Sequence, residues 1–73
     1  MGTLKSLGQD IAAARAKATL TQAQLADKAG VSLIYVKKLE SGERAPSLPM
    51  LDRIARALGL ALDVRFIRHK GRA

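Results

Sequence analysis

Residues 21–42 constrain the fold of this chain more than any other stretch, because they hold two short helical patterns separated by a glycine. Thr21 and Gln24 have the spacing of a capping box, in which each side chain satisfies a free backbone N–H. Ser32 is a favourable N-cap for the second helix, and Gly30 can adopt the left-handed conformation that ends the first. The sequence therefore predicts two helices joined by a tight turn.

The apolar residues on either side of Gly30 support this prediction. They recur on one side of each helix: Ala23, Leu25 and Ala26 in the first, Val36 and Leu39 in the second. Two helices joined in this way form a helix-turn-helix, whose second helix is the usual reader of the DNA major groove. We expect the first of the pair to run from Gln22 to about Ala29 and the second from Leu33 to about Ser41.

Two further helices flank this pair. The first covers residues 4–18, with Thr3 as a possible cap, and the last is capped by Ser47 and ends at Gly59. Apolar residues at i, i+3 and i+4 spacing predict a buried stripe on each helix: Leu4, Leu7, Ile11, Ala14 and Ala18 in the first, and Leu48, Leu51, Ile54, Ala55 and Leu58 in the last.

The apolar pattern changes to a period of two after Leu60, where Leu62, Val64 and Phe66 alternate with other residues. This alternation is typical of a β-strand, and a strand without a partner exposes unpaired backbone groups. The simplest partner is the same strand of a second copy, antiparallel about a two-fold axis. The sequence thus predicts three segments: a helix-turn-helix DNA-binding domain (1–60), a dimerisation strand (61–68) and a disordered basic tail (69–73).

The charge of the chain favours a polyanionic partner. The formal net charge is +7 and the isoelectric point is about 10.6, as in many nucleic-acid-binding domains. The alternative is a basic, soluble surface with no particular partner. One Tyr and one Phe provide too few aromatic faces for a single-strand or RNA platform that stacks bases.

Metal, cofactor and membrane functions find no support in the sequence. The chain has no cysteine and a single histidine, His69, whereas metal sites need several ligands. No apolar run approaches the about 20 residues of a membrane span, and the first residues lack the apolar core of a signal peptide. We expect a cytoplasmic protein without cofactors or metals. Because no phosphate-binding loop or catalytic constellation occurs, we also expect no enzymatic activity.

Several spaced motifs resemble the phage-repressor-like (Cro/CI, XRE) helix-turn-helix family. They are Leu20-Thr21-Gln22, Leu25-Ala26, Ala29-Gly30-Val31-Ser32, Leu39-Glu40-Ser41-Gly42, Pro46-Ser47-Leu48 and Ile54-Ala55-Arg56-Ala57-Leu58-Gly59. The resemblance covers roughly residues 7–60. It implies an all-α fold, a lambda-repressor-like bundle of four short helices that binds double-stranded DNA. It also implies a buried ion pair between Arg15 and Glu40; the alternative is two separate surface charges.

The second helix of the pair offers the residues that could read bases. Ile34, Lys37, Lys38 and Ser41 share one face, with Leu33 and Tyr35 beside its N-terminal end. Lys38 suits guanine O6 and N7, and Lys37 suits a base or a phosphate; either lysine could instead be merely solvated. Ile34 and Leu33 could contact thymine methyl groups, although Leu33 could equally pack against a helix or a partner protein.

Other residues are candidates for contacts with the DNA backbone. The resemblance implies that Gln22 clamps a phosphate, and the free N–H groups at the start of its helix would favour such an anion. Ser32 begins the surface that faces the groove, and Ser41 and Arg44 are further phosphate candidates.

These predictions lead to a dimeric transcriptional repressor that binds a palindromic operator. Two alternatives stay open. The C-terminal strand resembles the antitoxin branch of the family (HipB/HigA-like), whose members bind a toxin protein and repress their own operon. A restriction–modification controller protein is the other relative, although such proteins tend to have an all-helical dimer interface.

Overall fold

The computed structural model describes residues 4–64, which form four α-helices. These are α1 (Leu4–Lys17), α2 (Gln22–Ala29), α3 (Leu33–Ser41) and α4 (Leu48–Ala57). Helices α1 and α2 both pack against α3, and α4 packs against α2. The predicted all-α, four-helix architecture is confirmed. None of these four helices combines the length and apolarity that crossing a bilayer would require.

The predicted caps around the turn are present. The Thr21 hydroxyl accepts a hydrogen bond from the Gln24 N–H at 3.0 Å, and the Gln24 side chain accepts one from the Thr21 N–H at 2.8 Å. The Ser32 hydroxyl accepts from the Tyr35 N–H at 3.0 Å. Gly30 has a φ of 70°, the left-handed conformation that a residue with a Cβ atom adopts only at a cost. Short-range chemistry therefore fixes both ends of the turn.

The core lies where the four helices meet. In residues 4–64 its buried members are Ile11, Leu25, Ala26, Ala29, Val36, Leu39 and Ile54. All four helices contribute, and Leu25 and Val36 are completely buried. Each large aliphatic side chain among them stabilises the fold by about 1.5–3 kcal/mol relative to its exposed state.

Three residues that the apolar pattern predicted to be buried are exposed in the structure. Leu4 is 45% exposed and Leu48 is 59% exposed, because each is the first residue of its helix and lies beyond the edge of the core. Ala23 is exposed as well. The buried side of α2 is centred on Leu25 and Ala29, which are one helical turn apart, and Ala23 lies away from that line.

The predicted C-terminal strand is absent from the part of the segment that the structure describes. Residues 60–64 are neither helix nor strand. Leu60 and Val64 are 54% and 62% exposed, whereas Leu62 is partly covered. The predicted strand was to pair with a second copy, and a single chain offers it no partner. Phe66, His69 and the rest of the predicted strand and tail lie outside the described residues.

Helix α1 ends in a strained turn. Thr19 has a φ of 58°, a left-handed conformation that is unusual for a β-branched residue. Its N–H donates to the Ala16 carbonyl at 3.0 Å, and the Leu20 N–H donates to the Arg15 carbonyl at 3.1 Å. This pair of bonds is the Schellman motif, in which the left-handed position is usually glycine.

Replacing Thr19 with glycine should therefore stabilise the protein. We expect Thr19→Gly to increase the free energy of unfolding by about 0.5–1 kcal/mol, because the clash of Cβ with the backbone disappears. Thr19→Ala is the control, since it removes the hydroxyl but keeps the Cβ atom. The melting temperatures, followed by circular dichroism, should rank glycine above alanine; equal values for the two variants would contradict backbone strain as the cause.

Candidate nucleic-acid interface

Helix α3 presents one side to the core and the opposite side to solvent. Val36 is completely buried, and Leu39 is only 2% exposed. The predicted reading face is exposed along its whole length: Ile34, Lys37, Lys38 and Ser41. Ile34 is 66% exposed, and single exposed apolar residues are ordinary on protein surfaces. Helix α3 therefore has a free face of about two turns with an apolar start and a basic centre.

The residues that flank the N-terminal end of this face have different environments. Leu33 is 38% exposed, so part of its side chain is covered within the chain and part remains available. Tyr35 is half-buried and packs against the core. Ser32 is exposed, and its hydroxyl is used to cap α3. The aromatic ring is thus held in place from one side.

An ion pair connects α1 to α3. The Nε of Arg15 donates to Oε2 of Glu40 at 2.7 Å and Nη2 donates to Oε1 at 3.0 Å, while Nη1 donates to the Leu20 carbonyl at 2.9 Å. The two side chains are 20% and 7% exposed. The hydrogen bond to Glu40 raises the pKa of Arg15; desolvation opposes this and charge attraction reinforces it. The two-point contact fixes the orientation of the Glu40 carboxylate.

Glu40 also holds Gln22, a contact that sequence reasoning missed. The Gln22 amide nitrogen donates to Oε1 of Glu40 at 3.0 Å. One amide hydrogen is therefore engaged within the protein, and the second hydrogen and the carbonyl oxygen remain for other partners. No local sequence pattern relates residues 22 and 40, which meet only because α2 packs against α3.

The loop after α3 returns along the helix. The Lys38 carbonyl accepts from the Arg44 N–H at 3.2 Å and from the Ser41 hydroxyl at 3.1 Å. The Ser41 oxygen accepts a longer bond from the Glu43 N–H at 3.4 Å. The Arg44 guanidinium carbon lies 5.6 Å from the centroid of the Tyr35 ring. Arg44 is thus placed beside the exposed face of α3.

The electrostatic character of this region is basic. Lys37, Lys38 and Arg44 are exposed, and the carboxylate of Glu40 is compensated by Arg15. A surface with this charge attracts anions from a distance. Within residues 4–64, no group of three or more potential metal-ligating side chains is clustered.

Gly8 is a further residue that sequence reasoning missed. It is buried in the middle of α1, and a Cβ atom there would lie 2.5 Å from both the Leu39 and the Glu40 carbonyl oxygens. Its lack of a side chain allows α1 to approach the end of α3. A glycine within an otherwise good helix-forming sequence is the signal that could have indicated this contact.

Comparison with known proteins relates most of the chain to DNA-binding regulators. Residues 11–64 match the family described as "Helix-turn-helix". The cryptic phage CTXphi transcriptional repressor RstR of Vibrio cholerae is 51% identical over 43 residues, which are 59% of this chain and 38% of that protein. The immunity repressor protein of Bacillus phage phi105 is 44% identical over 58 residues, which are 80% of this chain and 40% of that protein. The chain therefore spans less than half the length of these two relatives.

A solved structure extends the similarity to three dimensions. The restriction-modification controller protein C.AhdI from Aeromonas hydrophila superimposes with a TM-score of 0.77 and 33% sequence identity. The superposition covers 78% of this chain and 86% of that one. The similarity thus includes most of this solved structure and less than half of each of the two phage repressors.

Proposed function

This chain belongs to the helix-turn-helix family of DNA-binding transcriptional regulators, and we propose that it acts as a dimeric repressor of a palindromic operator. The observation that carries the proposal is the free face of α3, which is exposed and basic while the opposite face is buried in the core. A helix held in this way can enter the major groove without rearrangement of the domain.

Base contacts are assigned to the free face. Lys38 donates to guanine O6 and N7, and Lys37 binds a base or a phosphate. Ile34 contacts the methyl group of a thymine, and its exposure leaves room for that contact. Leu33 adds to the same apolar contact with the exposed part of its side chain.

Phosphate contacts are assigned to the edges of this face. The start of α2 at Gln22 provides free backbone N–H groups and the positive end of a helix dipole. Glu40 takes one amide hydrogen of Gln22, which orients the other toward the DNA. Ser32, Ser41 and Arg44 border the face and approach the DNA backbone, and Tyr35 lies beside the N-terminal end of the face.

Dimerisation is assigned to the C-terminal segment. Residues 1–60 would form the DNA-binding domain, residues 61–68 the strand that pairs between copies, and residues 69–73 a basic tail. The exposure of Leu60 and Val64 supports an apolar surface that is covered in an assembly. A two-fold dimer would place two α3 helices about 34 Å apart, one turn of DNA.

Selection from a randomised duplex library tests the proposal. We expect the protein to enrich an inverted repeat, to bind it as a dimer, and to lose affinity steeply with salt because phosphate neutralisation releases counterions. Lys38→Ala should weaken binding by about 1–3 kcal/mol and relax base preference at one position of each half-site.

Two variants make this experiment specific. Lys17→Ala removes the same charge from α1, outside the α3 face, and should keep the base preference. A chain that ends at Leu60 should bind as a monomer and more weakly; if it remains a dimer, the strand has no role in pairing. Enrichment of no sequence, or affinity that is independent of salt, would refute DNA binding as the function.

A second candidate is a controller of a restriction–modification operon, favoured by the structural match to C.AhdI over 86% of that chain. Toxin binding by an antitoxin remains a prediction from the sequence. The genes beside the coding sequence discriminate between these roles, and co-purification with a co-expressed neighbouring protein would support an antitoxin.

A further inference from the structure

The contact between Tyr35 and Arg44 lies at the edge of the free face of α3. The guanidinium carbon is 5.6 Å from the ring centroid, within the about 6 Å over which a cation is attracted to an aromatic face. The ring packs against the core, whereas Arg44 is exposed. A fixed ring therefore restrains a long side chain that would otherwise sample many rotamers in solvent.

The backbone after α3 brings Arg44 to this place. Gly42 has a φ of 83° and turns the chain back. The Lys38 carbonyl then accepts hydrogen bonds from the N–H groups of Glu43 at 3.0 Å and Arg44 at 3.2 Å. Tyr35 and Lys38 are three residues apart and share one side of α3. Arg44 is thus held at the edge of the free face on which Tyr35 lies.

The local charges leave Arg44 available for an anion. Within residues 4–64, no carboxylate forms an ion pair with it. Lys37 and Lys38 are exposed on α3, and Glu43, which precedes Arg44, is exposed but forms no ion pair with it within these residues. A cation–π contact uses the positive charge of the guanidinium and leaves its N–H groups free to donate to another partner.

We propose that Tyr35 is a positioning residue for Arg44, and that Arg44 so held binds a backbone phosphate of the strand that borders the groove entered by α3. The proposal rests on the proposed DNA-binding function and assigns Tyr35 a role through Arg44 in place of a direct DNA contact. Arginine matches the geometry of a phosphate with two parallel hydrogen bonds. A side chain already ordered by the ring loses less entropy when it binds.

Dissociation constants measured over a range of salt concentrations test the proposal, using the full chain and the duplex that it selects from a randomised library. Arg44→Ala should weaken binding about tenfold and reduce the salt slope by about one counterion. Tyr35→Leu keeps an apolar side chain against the core but removes the ring, and should reproduce a large part of both effects. Tyr35→Phe keeps the ring and should bind within about twofold of the parent.

The decisive comparison is Tyr35→Leu in two backgrounds. In the Arg44→Ala background it should have no further effect on affinity, because the side chain that it positions is gone. Equal losses in both backgrounds would overturn the proposal, and so would a loss in Tyr35→Phe as large as in Tyr35→Leu. Thermal melts of every variant show whether a loss of affinity reflects unfolding.

A further variant keeps the test independent of the stability of Tyr35→Leu, and the behaviour of the parent protein separates the test from the proposed function. Arg44→Lys changes only an exposed side chain, and it should keep the salt slope but bind more weakly than the parent, since a lysine lacks the planar fork; parental affinity would contradict the proposal. If the parent protein selects no duplex, the DNA-binding function itself fails. If the parent binds and the two substitutions are additive, only the role of Tyr35 fails.

Discussion

Gly8→Ala is expected to destabilise the protein by about 3 kcal/mol, although helix propensity alone predicts the opposite sign. In a helix interior, alanine is favoured over glycine by about 1 kcal/mol. At this position, however, the new Cβ atom would lie 2.5 Å from two backbone carbonyl oxygens of α3. Backbone atoms cannot move aside as a flexible side chain can, so α1 must shift away from α3, with the cost of disrupted packing.

The sign of this effect distinguishes the two explanations. The midpoint of urea denaturation should fall in Gly8→Ala, and the melting temperature should decrease by roughly 10 °C or more for a domain of this size. Ala13→Gly, at an exposed position of the same helix, measures the propensity effect alone and should cost about 1 kcal/mol. A Gly8→Ala protein as stable as the parent would mean that α1 tolerates a wider spacing from α3.

The close approach of α1 also explains why the end of α3 has a defined position. The same stretch of α3 that contacts Gly8 contains Glu40, which holds Arg15 and Gln22. A shift of α1 would therefore displace the group that orients the start of α2. The packing of α1, which is distant in sequence from the free face, would thus influence the geometry of the proposed DNA contacts.

The parts of this fold that the sequence predicts are those set by short-range chemistry. The bounds of α2 and α3 follow from Thr21, Gly30 and Ser32, whose caps act within four residues of the backbone groups they satisfy. The exposed face of α3 follows from its periodicity, because Val36 and Leu39 define the buried side. For such features, neighbouring residues contain nearly all of the information.

The features that escaped prediction depend on where the helices meet. Gly8 shows this best, since a glycine in a helix is explained only once the α3 carbonyls are placed beside it. The apolar period likewise does not reveal where the core ends, so the exposure of Leu4 and Leu48 at helix starts was missed. The hydrogen bond between Gln22 and Glu40 spans 18 residues and has no local signature.

Arg15→Ala should lower the melting temperature far more than Lys17→Ala. Arg15 makes three hydrogen bonds that connect α1 to Glu40 and to the Leu20 carbonyl, and its loss would leave a carboxylate that is 7% exposed without its cation. Removal of one member of a buried pair costs about 3–5 kcal/mol. Lys17 is exposed in the last turn of α1, where a favourable dipole interaction contributes about 0.3–1 kcal/mol.

A double-mutant cycle separates the stabilisation that the ion pair contributes from the cost of leaving one charged side chain without its partner. Arg15→Met and Glu40→Leu should each be strongly destabilising, and the double variant should recover about 2 kcal/mol or more relative to the sum of the single effects. Apolar side chains of similar size can fill this partly buried site without the cost of desolvating a charge. Additive losses, measured by chemical denaturation, would show that the two residues stabilise the protein independently. If the double variant folds well but binds DNA weakly, the ion pair serves chiefly to orient Gln22 through Glu40.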